Sequence, residues 1–501
     1  MGDRREDLIG IVGGENVLDD PETLEAYSRD QSFALPMKPS LVVKPGNADE
    51  VEKIVKWANQ TGTPLVPVSS GPPRFHGDTV PSTTGTVIVD LSGMNRVISI
   101  DRRNRLAVIE PGVTYSQLQP ELAREGLRLS SPLVPRANKS VIASLMEREP
   151  RMIPRDQWAF HDPLRCLELV LPDGQRMRTG DAGGLGELAE ARKRHLVPVD
   201  ASGPYQIDAY KLISAAQGSM GIATWASVKC GVLPQIHKLF FVQSQKLEDL
   251  IDFTYKLLRF RFADELMILN GVGLASMLGD GPGEIRTLGK RLLLWVAVVG
   301  IAGRSILPEE WVAYQEQDIS DIAQQFGLHF VGEIPGVGNS EVLEALNNPS
   351  KEPYWKCAAK GGFQDIFFLT TLNKTPGFVK TMYSVADTHG YPASDVGIYL
   401  QPVHQGTGCH CEFIFPYDPG NPREVAALRE LFTEASQEMF NRGAFFSRPY
   451  GIWASLAYNR DAQTTIMLRK IKSIFDPNNV MNPGKLCFQA NGDPGGRGKW
   501  D

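Results

Sequence analysis

No Cys-x-x-Cys pair occurs among the six cysteines of this chain, which excludes the common ligand spacings of an iron–sulfur cluster. Any such cluster belongs to a partner. Cys409, His410 and Cys411 suggest zinc, but alternate residues of a strand face opposite ways and no second ligand pair lies nearby, so no metal site is expected. Positive charge is in short supply too: 52 Lys and Arg stand against 58 Asp and Glu, a net charge of -6. That leaves no electrostatic footprint for a nucleic acid or an anionic membrane. Long apolar runs are also missing. Leu292 to Ile301, the most apolar stretch, is about half of what a bilayer helix requires and reads as a buried strand. The first thirty residues carry acids throughout and no signal-peptide core, so the expected location is cytoplasmic, with no membrane span.

What is present fits an ordered globular chain: 501 residues, 42% hydrophobic and 22% charged, enough for two large domains. Asn47 and Glu50 have capping-box spacing, Val51, Ile54, Val55 and Ala58 recur at helical spacing, and Gly62 stops the helix. Strands follow at Leu65 to Val68, Val87 to Leu91 and Leu106 to Glu110, then a helix capped by Thr114, with Gln117 at the box position and Gly126 at its end. Asp173-Gly174 between Leu167 to Leu171 and Gln175 to Arg178 signals a hairpin. From about residue 236 longer helices alternate with apolar strands at Leu292 to Val299, Ile366 to Thr371, Val396 to Pro402 and Cys411 to Phe415. This predicts an α+β cap whose sheet has helices on one face. The expected domains are 1–235, a cap over 236–460, and a return segment, 461–501, with an amphipathic helix from Thr465 to Phe475. The Gly-rich tail beyond Phe488 is expected to be mobile.

Between two strands, Pro67 to Gly77 offers small residues, hydroxyls and backbone N–H groups able to wrap a pyrophosphate. In company with other segments it resembles the vanillyl-alcohol oxidase superfamily, with its FAD-binding domain of the para-cresol methylhydroxylase (PCMH) type. LVVKPGNADEVEKIVKWANQTGTPLVPVSSG is similar to that family's first strand, helix and pyrophosphate loop. GTVIVDLSGMNRVISID and LAVIEPGVTYSQLQPELAREGL resemble the strands and helix that follow, and LELVLPDGQRMRTG its hairpin. Gln217-Gly-Ser-Met-Gly-Ile-Ala-Thr224 resembles its second flavin-contacting segment, and LRKIKSIFDPNNVMNPGKL its return helix.

The resemblance implies an α+β fold with a two-lobed FAD-binding domain and a cap bearing an antiparallel sheet. It implies an FAD-dependent oxidoreductase that moves a hydride from a hydroxylated organic substrate to the flavin. Ser69, Ser70, Gly71 and Gly77 would meet the pyrophosphate, and Ser140, Val141 and Ala143 would lie near the flavin ring. Gly218, Gly221 and Ile222 would line the adenine and ribose side, with Asn482 closing on the cofactor. Ala143-Ser144 replaces the family's Gly-Gly, and the stretch after it departs from the family pattern, leaving Arg148, Arg151, Trp158 and His161 as candidates by position. His76 stands a few residues later than the family's linking histidine; noncovalent FAD is the expectation.

In the cap the candidate catalytic residues are Tyr399, His404, His410, Arg448 and Tyr450, with Gln401 and Glu412 beside them. On regular strands Tyr399 and Gln401 share one face, and His410 and Glu412 another. An Arg near a flavin stabilises negative charge on the reduced ring or on a bound phenolate or carboxylate, and a Tyr or His takes a hydroxyl proton. His404 to His410 resembles the metal-holding segment of the glycolate and D-lactate dehydrogenase branch, but one residue short and with Thr407 for its Asp; Pro449-Tyr450-Gly451 stands for that branch's Glu-His-Gly. Ser447-Arg448 resembles part of the Tyr-Arg pair of the branch that oxidises alkylphenols and aromatic alcohols, and the aromatic substrate is favoured. Three alternatives stay open: a 2-hydroxy-acid dehydrogenase, a flavin subunit with an iron–sulfur or cytochrome electron-acceptor partner, and a non-redox use of flavin. A homodimer is expected.

Overall fold

The computed structural model describes residues 4–154, 163–203, 210–304 and 306–490. The first half builds two sheets. In one, Leu41–Val43, Val87–Asp90 and Leu65–Val68 run parallel, with Val17–Leu18 antiparallel at the edge. A parallel pair needs a crossover, and helix Ala48–Thr61 supplies it, packing Val51, Ile54, Val55 and Ala58 on the sheet. Its start follows the expected chemistry with one change. Asn47 accepts the Glu50 N–H at 3.0 Å, but the Glu50 carboxylate reaches back to the Gly46 N–H and the Asn47 side chain. Gly62 closes the helix in the left-handed conformation (φ 65°).

The second sheet is antiparallel, in the order Val97–Asp101, Leu106–Ile109, Ile222–Lys229, Leu164–Val170, Arg176–Arg178. The hairpin turn falls at Asp173-Gly174 as expected, Gly174 taking φ 83°. Helix Tyr115–Arg124 begins after Thr114, but the Thr114 hydroxyl pairs with Ser116 at 3.0 Å and caps nothing, while Gln117 donates to the Asn95 carbonyl.

From Ile236 the chain builds a seven-stranded antiparallel sheet, in the order Phe330–Val331, Ile236–Ser244, Trp295–Gly303, Leu266–Asn270, Gly397–Val403, Gly408–Tyr417, Gly362–Thr370. Helices Glu248–Phe260, Pro308–Gln325, Thr375–Thr388 and Pro422–Asn441 cover one face. The other face is not bare, contrary to the one-sided expectation: helices Gly271–Leu278, Pro282–Gly289 and Asn339–Asn347 pack part of it. The reason lies in strand Trp295–Gly303, buried at every residue, which two layers must cover.

Helix Ala462–Phe475 returns to the first half, with Ile471 and Phe475 against its second core. Leu65 then pairs with the far end of the chain, donating to Val480 O at 2.7 Å and accepting from the Asn482 N–H at 2.8 Å. Among the described residues no helix is long and apolar enough to cross a membrane. Residues 491–501, most of the Gly-rich tail, lie outside the described residues, as do Trp158 and His161.

Candidate active site

A cleft of about 1610 Å³, its open mouth included, runs from the loop after Leu65–Val68 to the less covered face of the cap sheet. Its first wall is Pro67, Val68, Ser69 and Ser70. Arg136 fixes this loop by donating to the carbonyls of Gly71 (3.1 Å) and Pro73, while Ser70 Oγ accepts the Ser140 N–H at 3.1 Å. The turn at Gln217 to Gly221 forms the opposite wall. A Cβ on Gly218 (φ 69°) would stand 2.6 Å from Pro67 Cγ, and one on Gly221 (φ 143°) 2.9 Å from Val170 O. Only glycine fits these left-handed positions against the Pro67 ring and the Val170 carbonyl.

This half suits an elongated, phosphate-bearing cofactor. Its Pro67 to Ser70 and Gln217 to Gly221 walls are mostly backbone and small side chains, and Thr79 Oγ1 in the lining and Asn482 Oδ1 behind it are buried without a hydrogen-bond partner among the described residues. Lys139 lines it as well, clamping Glu147 at 2.7 Å to both carboxylate oxygens. Burial, with Glu147 nearby, pushes Asp78 up to about 6.

The cap half is a register effect. Tyr399 lies directly opposite Glu412, Gln401 opposite His410, and Phe367 opposite Glu412 on the other side. Directly paired residues share a face, so Phe367, Tyr399, Gln401, His410 and Glu412 all point to the cleft side. That corrects the expected division into two faces. Cys409 and Cys411 face the other way into the helix-covered core, and all six cysteines are free and buried.

On this face Lys356 donates to Asp365 Oδ2 at 2.8 Å and to Glu412, and Glu412 Oε2 pairs with His410 Nε2 at 2.8 Å. At the other end His76 Nε2 stands 3.4 Å from Asp365 Oδ1, ion-pair distance without hydrogen-bond alignment. Burial alone would raise both carboxyls, but Lys356 between them holds Asp365 and Glu412 below the usual range. Burial lowers His410 despite its carboxylate partner. Arg448, 5% exposed, stacks its guanidinium 3.9 Å over the Phe367 ring. That guanidinium has no ion pair or hydrogen bond among the described residues. Burial drives the Tyr399 and Tyr450 phenols well above their ordinary value, and Tyr399 donates to Gln401 at 2.8 Å.

Of the residues singled out from sequence, Ser69, Ser70, His76, Ala143, Gly218, Gly221, Ile222, Tyr399, Glu412, Arg448 and Tyr450 line the cleft. The other described ones lie outside the lining. Gly71 gives its N–H to Asn138 O, and Gly77 gives its own to Asp30 at 2.6 Å. Ser140 caps helix Val141–Met146, accepting from Ala143 and donating to Pro111 O, so its hydroxyl is occupied. Asn482 donates to the carbonyls of Asp78 and Gln217. His404 sits in the turn after Gly397–Val403, outside the lining, and His410 lies behind Glu412. Arg148 is turned to Ser214 at 2.6 Å, and Arg151 is buried outside the lining. Lys356 and Asp365 were missed, though the one charged residue in strand Gly362–Thr370, buried among Phe363, Ile366 and Phe367, is a signal. No three His, Cys, Asp or Glu side chains are grouped as metal ligands among the described residues.

Two family matches make this chain an FAD-linked oxidoreductase. The FAD binding domain family matches residues 39–180, and the FAD linked oxidases, C-terminal domain, matches 313–486. The chain is 28% identical to 1'-carboxy-chondrochloren decarboxylase of Chondromyces crocatus over 46% of its own length and 40% of that protein's. It is 22% identical to the flavoprotein subunit of 4-cresol dehydrogenase (hydroxylating) of Pseudomonas putida, covering 96% of this chain and 95% of that one. The crystal structure of p-cresol methylhydroxylase with substrate bound superposes with a TM-score of 0.82 at 20% identity, over 98% of this chain and 97% of the other. The chain belongs to the vanillyl-alcohol oxidase and p-cresol methylhydroxylase superfamily of FAD-linked oxidases and dehydrogenases.

Proposed function

We propose that this chain oxidises a hydroxylated organic substrate, an aromatic alcohol or alkylphenol ahead of others, with FAD held noncovalently. Bound FAD supplies a two-electron acceptor. Pro67 to Ser70 and the Gln217 to Gly221 turn would hold the cofactor, and the cap face would hold the substrate.

Arg448 carries the reading. A buried guanidinium that makes no ion pair or hydrogen bond among the described residues, stacked on Phe367 at the cleft wall, is a ready counter-charge for a phenolate or carboxylate. Phe75, Tyr354, Trp355 and Phe363 add aromatic wall, which favours a ring over a short 2-hydroxy acid. A lysine ammonium already neutralises the Asp365 and Glu412 carboxylates on the cap face. A 2-hydroxy acid remains the alternative, its carboxylate suiting the same guanidinium. The reading includes a homodimer in the cytoplasm that hands electrons to an acceptor protein; co-purification of a haem or cysteine-rich protein tests that partner.

The test is anaerobic bleaching of the flavin absorbance by aromatic alcohols, alkylphenols and 2-hydroxy acids. Arg448→Ala is expected to lower kcat/KM with the best substrate by about 10²-fold, on the order of a lost charge-stabilising donor, at full FAD content. Equal loss of FAD and turnover would make Arg448 structural and remove the main support.

A further inference from the structure

We propose that His76 is the general base of this cleft, with Asp365 fixing its tautomer and Lys356 positioning Asp365. The proposal rests on the redox reading above. The ring is held parallel to Tyr450 (centroids 4.6 Å, 16°) and edge-on to Phe367 (5.5 Å, 82°), and its Nε2 faces Asp365 Oδ1 at 3.4 Å. Neither ring nitrogen makes a hydrogen bond among the described residues. A proton on Nε2 is favoured by the Asp365 carboxylate, which leaves the Nδ1 lone pair as the acceptor.

Four other candidate bases, in the cleft or behind it, are engaged or keep their proton. Tyr399 donates to Gln401, and Glu147 is clamped by Lys139. The buried Tyr450 phenol keeps its proton. His410 is bound to Glu412.

His76, Asp365, Tyr450 and Gln217 line both the cleft and a second cavity, bounded farther on by Phe33, Arg429, Trp453 and Lys485. The His76 ring therefore stands at the boundary between the two cavities.

The step balances as follows in the substrate. The O–H bond breaks and its proton goes to Nδ1, making an imidazolium paired with Asp365. The C–H bond breaks, its hydrogen leaving with both electrons for the bound two-electron acceptor, and the C–O bond becomes a carbonyl. The groups facing His76 are Asp365 and Tyr450 from the cap, Asp78 from its own loop, and Glu149 from the segment after helix Val141–Met146, with Arg448 stacked on the Phe367 ring that His76 meets edge-on.

The test uses the FAD-loaded protein with 4-hydroxybenzyl alcohol and D-lactate as probes, followed across pH 5 to 9. With the wild type, kcat/KM for one probe should fall on the acid side as the base is protonated. His76→Gln should lower kcat by about 10²- to 10⁴-fold and abolish that limb at full FAD content. Asp78→Asn should keep the limb. Nitrogen NMR of the eight histidines, with His76 assigned by its loss in the variant, should show the Nε2–H tautomer, and Asp365→Asn should redistribute it. Should the Gln variant fail to fold, His76→Asn serves for assignment and rate. The base assignment falls if the variant keeps the acid limb, if His76 carries its proton on Nδ1, or if acid-precipitated wild type stays yellow while the variant does not, since alkylation of the ring takes either the Nδ1 lone pair or the Nε2 proton on which the assignment rests. A wild type that holds FAD yet is reduced by neither probe removes the redox reading and the base with it.

Discussion

Two buried lysines show how differently this chain uses the same group. Lys472, in the return helix, gives its three donors to Ser219 O (2.6 Å), Met481 O (2.9 Å) and Asp476, and the Asp476 carboxylate also takes the N–H groups of Val480 and Met481 at 2.9 Å each. Every polar valence there is closed within the protein, so the cluster's work is to hold the return segment against the Gln217 to Gly221 turn. Lys356 also bridges carboxylates, but its chain of contacts runs out to His76, whose ring nitrogens make no hydrogen bond among the described residues at the wall of a cleft. A buried charge cluster that closes on itself is structural; one that ends on an open lone pair has chemistry left to do.

Lys472→Met should break that contrast most visibly, leaving Asp476 buried without its cation at a cost of about 3 to 5 kcal/mol. Chemical denaturation would report it, together with loss of FAD; an unchanged midpoint would mean the lock is dispensable. Lys356→Met should cost less stability, roughly 2 kcal/mol, because the cleft admits water to Asp365 and Glu412. Its distinguishing effect is on turnover, a fall of about 10²-fold with the acid limb displaced. Equal effects on stability and rate would erase the difference between the two lysines.

Asp78→Asn gives the smallest change and the opposite sign. Its carboxyl titrates near 6 in the fold against an ordinary 3.8, so the folded chain binds more protons than the unfolded one between those values. Stability therefore falls as pH rises through that window. Removing the charge should stabilise the protein by about 1 to 2 kcal/mol at pH 7 and by almost nothing near pH 4. Thermal melts at both values decide it.

Much of the first half was legible because its signals are local. Asn47, Glu50 and Gly62 mark both ends of one helix within sixteen positions, and Asp173-Gly174 marks a hairpin. The cap site was legible only in pieces. Tyr399, His410, Glu412 and Arg448 could be named, but whether they share a face depends on the turn between Val403 and Gly408, which sets Tyr399 opposite Glu412. Lys356 meets Glu412 from 56 residues away, a pairing that no periodicity encodes. Several assigned cofactor residues failed to reach the cleft for a related reason: Gly77 and Ser140 spend their polar groups on Asp30 and Pro111, partners that only the fold supplies.

The bond between Leu65 and residues 480–482 also sets an order of assembly. During synthesis the parallel sheet of the first half waits, with one edge of Leu65–Val68 unpaired, until more than four hundred further residues have been made. The whole cap sheet, from Ile236 to Tyr417, is complete in sequence before that edge can close. On the ribosome the cap is thus positioned to fold first, and the cofactor domain, though begun earliest, is finished last.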